Sequence, residues 1–525
     1  MTPNAMAVFL RRAAKSRRAT TAILLALLTI VTRWLAAPFQ RGSYEYQFDG
    51  LLDTCVKPWQ FFTGQAVAGG DNCYLSFATS YFASTAFGYS VEVLQGVEIA
   101  AAAVCYGMIF LALERMIGWA SALRTVVLLI ATLPFISHSV LPTNMHTALW
   151  GFSGALYALT MPPSLRRDLV LASFCTLALF GYAAGVVTVA PLVLGHIVLF
   201  RSAWPFRRMA SAALLAAAGV GLVAAARGAF TGSGDLSRWA IDEIGLPPLA
   251  EYAATLEIIL RDLFISADTW YALGYGHPYF SAPVVVLLIA AAACSLVGAA
   301  RAQTAEGAQP DDRNCGQRVR WISLFLLTFL LAIGIVSINP RYPGVRRVFP
   351  AAILMLAVAA SAPALVPRGR LLPLLFNAIF VVAVGSAVGT SWVAVGRLWQ
   401  APPESVWTRL SSSIARRLES VEKPHVVAVD ATLEPSLDRV LCGLHMDRKT
   451  RGKVAAMVGY DGSTEAGLQI WRNGNPSASI DISDLPSAPL LVVSGTRERA
   501  ELLSTAVERA DAASSRTTVT LVIRR

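Results

Sequence analysis

Two short stretches hold the residue types best suited to chemistry. One is Tyr44-Glu45-Tyr46-Gln47-Phe48-Asp49-Gly50-Leu51-Leu52-Asp53, and the other is Arg341-Tyr342-Pro343-Gly344-Val345-Arg346-Arg347. A carboxylate set among aromatics is partly desolvated, holds its proton more readily and can act as a base near neutral pH. Asp49 is the first candidate, with Glu45 and Asp53 in reserve, and the same acids can instead hold a divalent metal ion. Guanidinium forks pair bidentately with phosphate oxygens. Pro340, Pro343 and Pro350 frame Arg341, Arg346 and Arg347 in a short connection suited to that task. The plainer alternatives are a solvated loop acid, and arginines paired with lipid headgroups or structural carboxylates.

The elements that must position these residues are membrane helices. Of the 525 residues, 55% are hydrophobic and 15% charged, against about 25% charged in an ordinary soluble domain. Apolar runs approach or reach the roughly 20 residues that cross a hydrocarbon layer. They predict about eleven spans, near 20–37, 91–113, 122–138, 145–161, 168–181, 184–200, 208–226, 281–300, 320–338, 348–366 and 371–397. The first run lacks a clean cleavage site and many similar runs follow, so it reads as an anchor. The expected fold class is therefore a polytopic α-helical membrane protein, with a transmembrane domain over 1–398 and a small C-terminal α/β domain over 399–525.

Basic residues set the expected orientation, because cytoplasmic loops collect Lys and Arg. Splitting the stretch from Leu169 to Phe200 at Gly181–Gly185 keeps Arg201, Arg207 and Arg208 on the side of Arg11, Arg12, Lys15, Arg17 and Arg18. Arg115, Arg124, Arg166, Arg167, the 301–320 loop, Arg368 and Arg370 then fall on that side too. This places loops 38–90 and 227–280, the arginine turn and the C-terminal domain outside; in a bacterium the domain would be periplasmic and the spans in the inner, cytoplasmic membrane. Anchoring accounts for the net charge of +11, so no nucleic acid is expected as a partner.

Further candidates lie toward the same outer face. Glu92 and Glu98 occupy the outer half of the second span, and Glu98, the deeper, can border a wet cavity. His277, in Gly274-Tyr275-Gly276-His277-Pro278-Tyr279-Phe280, ends the second outer loop, while His138 and His146 bracket the turn 139–145. No metal-ligand spacing relates these histidines, and hydrogen-bonded structural roles are the base expectation. Seven cysteines are too few for a disulfide scaffold, although Cys55 and Cys73 share an outer loop where a bridge is permitted. Gly-rich phosphate loops, zinc patterns and nucleophile elbows are absent from the sequence.

Beyond Trp399 the apolar runs shorten to strand length, at 425–430, 468–471, 489–494 and 518–523, with a helix over 496–510. Asp461-Gly462 and Asn473-Gly474 read as turns. Acids such as Asp430 are not grouped by any pattern, and acceptor binding or structural support is the expected role of the domain.

The acidic outer loop after the first helix (Phe48-Asp49-Gly50), the later Arg341-Tyr342 with its following Pro350, the paired spans and the extracytoplasmic domain together resemble the GT-C class of membrane glycosyltransferases. That class includes protein O-mannosyltransferases and bacterial aminoarabinose transferases. The resemblance implies a polyprenyl-phosphate sugar donor and transfer to a glycan, lipid or protein acceptor within the membrane lipid. It gives Asp49 the catalytic acid's place, and Arg341, with Arg346 or Arg347, the phosphate. Tyr342, Glu45, Glu98 and His277 fall among the expected substrate contacts. Many members carry adjacent acids in the first loop, whereas here Asp49 is followed by Gly50. A lipid-linked polysaccharide polymerase or ligase is the second reading, and a transporter or non-catalytic scaffold stands behind both.

Overall fold

The computed structural model describes residues 3–42, 79, 82–83, 86–87, 91–140, 145–180, 183–231, 247–267, 276–304, 310–338, 345–365, 371–400, 406–433, 440–441, 444, 450, 452–460, 468–472, 487–510 and 517–522. These divide into a helical unit over 3–38 and 98–400 and an α/β unit that takes in 406–522.

The helices are α1 (Pro3–Gly42), α2 (Val91–Ile117), α3 (Trp119–Ala131), α4 (Leu133–His138), α5 (Met145–Leu159), α6 (Leu165–Phe180), α7 (Ala183–Leu199), α8 (Phe206–Thr231), α9 (Leu249–Phe264), α10 (Ala282–Thr304), α11 (Pro310–Ser337), α12 (Phe349–Leu365), α13 (Leu371–Gln400) and α14 (Val406–Glu419). Among the described residues, five helical segments are long and apolar enough to cross a membrane: Arg17–Ala37, Val93–Ile117, Gly316–Ser337, Val345–Leu365, which includes the 3-10 turn before α12, and Leu371–Gly396. The chain is a multi-pass membrane protein. The other predicted spans also lie on helices, and Trp119–Ala131, Gly185–Leu199 and Ala282–Val297 are apolar but shorter.

Helix α12 lies at the centre, against α3, α10, α11 and α13. All its residues except Pro363 and Ala364 are buried. Its many alanines let neighbouring backbones approach closely, which is how helices associate when lipid offers no hydrophobic drive. The same device joins α5 to α6. A Cβ at Gly151 would stand 2.8 Å from Cα of Ala178, and one at Gly154 would strike the Phe174 ring.

The stretch from Leu169 to Phe200 is two helices, α6 and α7, both packed on α5. A Cβ at Gly185 would lie 3.4 Å from that of Ala178, so the chain doubles back. The segment 227–280, expected as an outer loop, contains α9. This helix buries Ile259, Asp262 and Leu263 and packs on α11.

Charged residues separate to opposite ends of the helical unit. At one end, Arg18 pairs with Glu114 at 2.9 Å, Arg17 covers the Trp119 ring, and Arg115 donates to Thr160 and Tyr157. At the other lie Arg33, Glu98, His138 and Arg346, since each occupies the opposite terminus of its helix or segment.

In the α/β unit, β1 (His425–Asp430), β2 (Val454–Tyr460), β3 (Leu468–Arg472), β4 (Leu490–Ser494) and β5 (Thr518–Val522) form one sheet in the order β3-β2-β1-β4-β5. All pairs are parallel except β2 with β3. Val427, Val429, Leu491 and Val493 face Leu410, Ile414 and Leu418 of α14. Val426, Ala428, Leu490 and Val492 face Ala500, Leu503 and Val507 of α15 (Arg497–Ala510). Cover on both faces explains the unbroken apolar strands. Strand β2 was absent from the expected set because Val454-Ala-Ala-Met-Val-Gly-Tyr460 shows no alternation and is diluted by alanine and glycine.

Candidate functional site

The site is built around a deliberate break between α3 and α4. Thr132 is extended, with φ −88° and ψ 128°, and Pro134 offers no N–H, so the last carbonyls of α3 lose helical partners. Other helices supply them. Arg33 of α1 donates from Nη2 to Leu129 O and from Nη1 to Ile130 O, both at 2.8 Å, and Ser391 of α13 donates to Ala131 O at 2.7 Å. Arg33 is fully buried, and its Nε donates to Ser139 Oγ at 2.6 Å. A cation at a helix C-terminus meets the negative end of the helix dipole, which offsets part of the cost of burying it.

The break aims α4 so that its last residue, His138, meets the Tyr279 hydroxyl through Nε2. Nδ1 of this buried ring has no hydrogen-bond partner. The imidazole packs on Phe349 at the start of α12, with centroids 4.5 Å apart, and Phe135 stands edge-on to Tyr279. Tyr279 is fixed from the α9 side, where Phe280 N donates to Leu263 O and Gly276 N to Ala267 O. Arg346 lies within electrostatic reach of both His138 and Tyr279, and buried Asp262 within reach of Tyr279.

Arg346 and Arg347 are half-buried on a 3-10 turn, Val345–Val348, whose two valines are fully buried. The turn packs against α7, α9, α11 and α12. Four supporting helices hold these arginines more firmly than a free loop would.

Glu98 and His146 form the adjoining constellation. Glu98 Oε1 accepts from His146 Nδ1 at 2.8 Å, and Oε2 accepts the His146 backbone N–H at 3.0 Å. Both side chains are buried, and the carboxylate caps the first turn of α5 while fixing the ring. Of the expected site residues, the structure thus sets Arg346 within electrostatic reach of the His138–Tyr279 pair and engages Glu98 with His146. His277 is half-buried, two residues from Tyr279.

Asp49, Glu45, Asp53, Arg341 and Tyr342 lie outside the described residues, as do Cys55, Cys73 and the side chain of Glu92. Among the described residues, Cys105, Cys175 and Cys294 are free, and no three His, Cys, Asp or Glu side chains group as a metal site. Arg33 and Tyr279 were missed in the sequence. The signal for Arg33 was an arginine inside the first apolar run together with a proline inside the third.

In the α/β unit Asp430 is grouped after all. Its Oδ1 accepts from Thr432 N and Oγ1 and from Arg499 Nη1 (3.0 Å), and its Oδ2 accepts from Ser494. These bonds tie the ends of β1 and β4 to α15.

No protein-family model and no curated protein matches this chain. Solved structures similar to it include ArnT from Cupriavidus metallidurans bound to undecaprenyl phosphate. That likeness has a TM-score of 0.37 and 12% identity, covering 84% of this chain and 86% of the other. The apo state of the same protein gives a TM-score of 0.34 and 13% identity, over 81% and 92%. At that level of overlap, activity does not transfer from one chain to another.

Proposed function

We propose that this chain is a glycosyltransferase moving a sugar from a polyprenyl-phosphate donor to a glycan, lipid or protein acceptor at the outer face of the cytoplasmic membrane. In this reading residues 399–525 form a domain on that outer side. The reading is carried by the placement of Arg346. An arginine on a turn braced by four helices, within electrostatic reach of a buried His138–Tyr279 pair, is a preorganised cation of the kind that stabilises charge on a departing phosphate.

The chemistry needs little else from the protein. The acceptor oxygen attacks the anomeric carbon, and the bond from that carbon to the phosphate oxygen breaks, its electron pair leaving with the phosphate. Asp49 takes the acceptor proton as general base. Arg341, Arg346 and Arg347 receive the phosphate charge. Glu45, Tyr342 and His277 border the substrate, while Glu98, with both oxygens engaged by His146, acts as a positioning residue.

The test is transfer of radiolabelled sugar from a polyprenyl-phosphate donor in membranes carrying the full chain. Wild type should move label out of the donor lipid, and Arg346→Ala should cut the rate by about 100-fold, the scale for losing one transition-state donor. Unchanged transfer in Arg346→Ala, with the protein folded, would remove the basis of this assignment.

A further inference from the structure

The last turn of α9 carries a fully enclosed carboxylate, Asp262, at 0% exposure. An ionised carboxylate is kept at such a depth only with a cation beside it. The surroundings of α9 narrow the choice. Arg261 is exposed and, as the adjacent residue along the helix, does not face Asp262. Helix α9 packs on α11 and on the turn Val345–Val348. From Trp321 to Ser337, α11 carries no charged residue, and Arg320 lies roughly 14 Å along the helix from Phe329, whose ring meets Phe280. The turn supplies Arg346 and Arg347, both half-buried.

Two ties bring Asp262 toward the His138–Tyr279 pair. Phe280 N donates to Leu263 O at 2.9 Å, joining the residues that follow Tyr279 and Asp262. The Phe264 and Phe280 rings pack with centroids 5.4 Å apart. The Tyr279 hydroxyl in turn lies within electrostatic reach of both Asp262 and Arg346. Opposite charges thus converge on one hydroxyl from two elements in contact, α9 and the turn.

We infer that Asp262 is the counter-ion of Arg346 and, through it, a positioning residue for the donor phosphate; the second half rests on the function proposed above. A carboxylate occupies part of the guanidinium fork and fixes its plane, while the remaining N–H donors stay available. The cost of ordering a long side chain is then met before the donor lipid arrives.

The test uses the full chain in detergent, with two readouts. A thermal-melt cycle compares Asp262→Asn, Arg346→Ala and the double variant. Each single variant should melt below wild type, and the double variant no lower than the worse single. Additive losses would overturn the pair. Binding of polyprenyl phosphate, read by native mass spectrometry, tests the positioning. Asp262→Asn should weaken it about tenfold, Asp262→Glu less, and Asp262→Asn should cost nothing further once Arg346 is replaced by alanine. The loss should persist in an Arg347→Gln background. Wild-type affinity in Asp262→Asn, a further loss in the Arg346→Ala background, or disappearance of the loss with Arg347→Gln would overturn the positioning role. Failure of wild type itself to bind the lipid, with the melt cycle still coupled, would overturn the function proposed above and leave the pair standing.

Discussion

Glu98 holds His146 at two points, accepting the ring Nδ1–H at 2.8 Å and the backbone N–H at 3.0 Å. One carboxylate on α2 thereby both caps α5 and fixes an imidazole whose ring meets Trp150 edge-on at 5.3 Å. Breaking a buried pair leaves the survivor uncompensated, at a cost of about 3–5 kcal/mol. Glu98→Ala should lower the melting temperature in detergent accordingly, and Glu98→Gln, which keeps an acceptor for the cap, should lower it less. Equal melting of both variants and wild type would show that the pair contributes nothing.

Arg33 should be indispensable for stability. Arg33→Met leaves the Leu129 and Ile130 carbonyls without donors where no water replaces them, at roughly 1–3 kcal/mol each. Arg33→Lys should recover part of the loss, because an ammonium reaches fewer acceptors than a fork. The check is a thermal melt of the two variants, and indistinguishable melting of Arg33→Met and wild type would contradict the assignment.

Tyr279 is predicted to position the phosphate site. Tyr279→Phe keeps the ring against Phe135 and removes the hydroxyl that meets His138. The apparent KM for the lipid donor should rise several-fold, with the melting temperature shifted by no more than a few degrees. A large fall in melting temperature with unaltered KM would mark the residue as purely structural.

Orientation follows from the alternation of basic residues. In intact cells Cys315 should resist a membrane-impermeant thiol reagent, while a thiol introduced by Tyr342→Cys should react. The reverse labelling pattern would invert the topology.

Much of this architecture was legible because lipid imposes long apolar runs, and the alternation of basic residues required the run from Leu169 to Phe200 to be two spans. Helix α9 was not legible, because a mixed-polarity segment between spans reads as a loop until Ile259, Asp262 and Leu263 are seen to be buried. The site was readable only by residue type. Arg346 was visible as an arginine in the wrong place, whereas its neighbours His138 and Tyr279 come from segments far apart in the chain and meet only through tertiary packing. Similarly, Asp430 found its partners Ser494 and Arg499 across the parallel pairing of β1 with β4, a register that local pattern does not reveal.

The most direct measurement compares donor-lipid binding with sugar transfer in Asp49→Asn and Arg341→Ala, both verified as folded. Asp49→Asn removes a base and keeps its shape, so transfer should fall by about 100-fold or more while binding survives. Arg341→Ala removes a phosphate partner, so binding and transfer should fall together, with Arg341→Lys rescuing only in part. Wild-type transfer in both Asp49→Asn and Arg341→Ala would contradict the account.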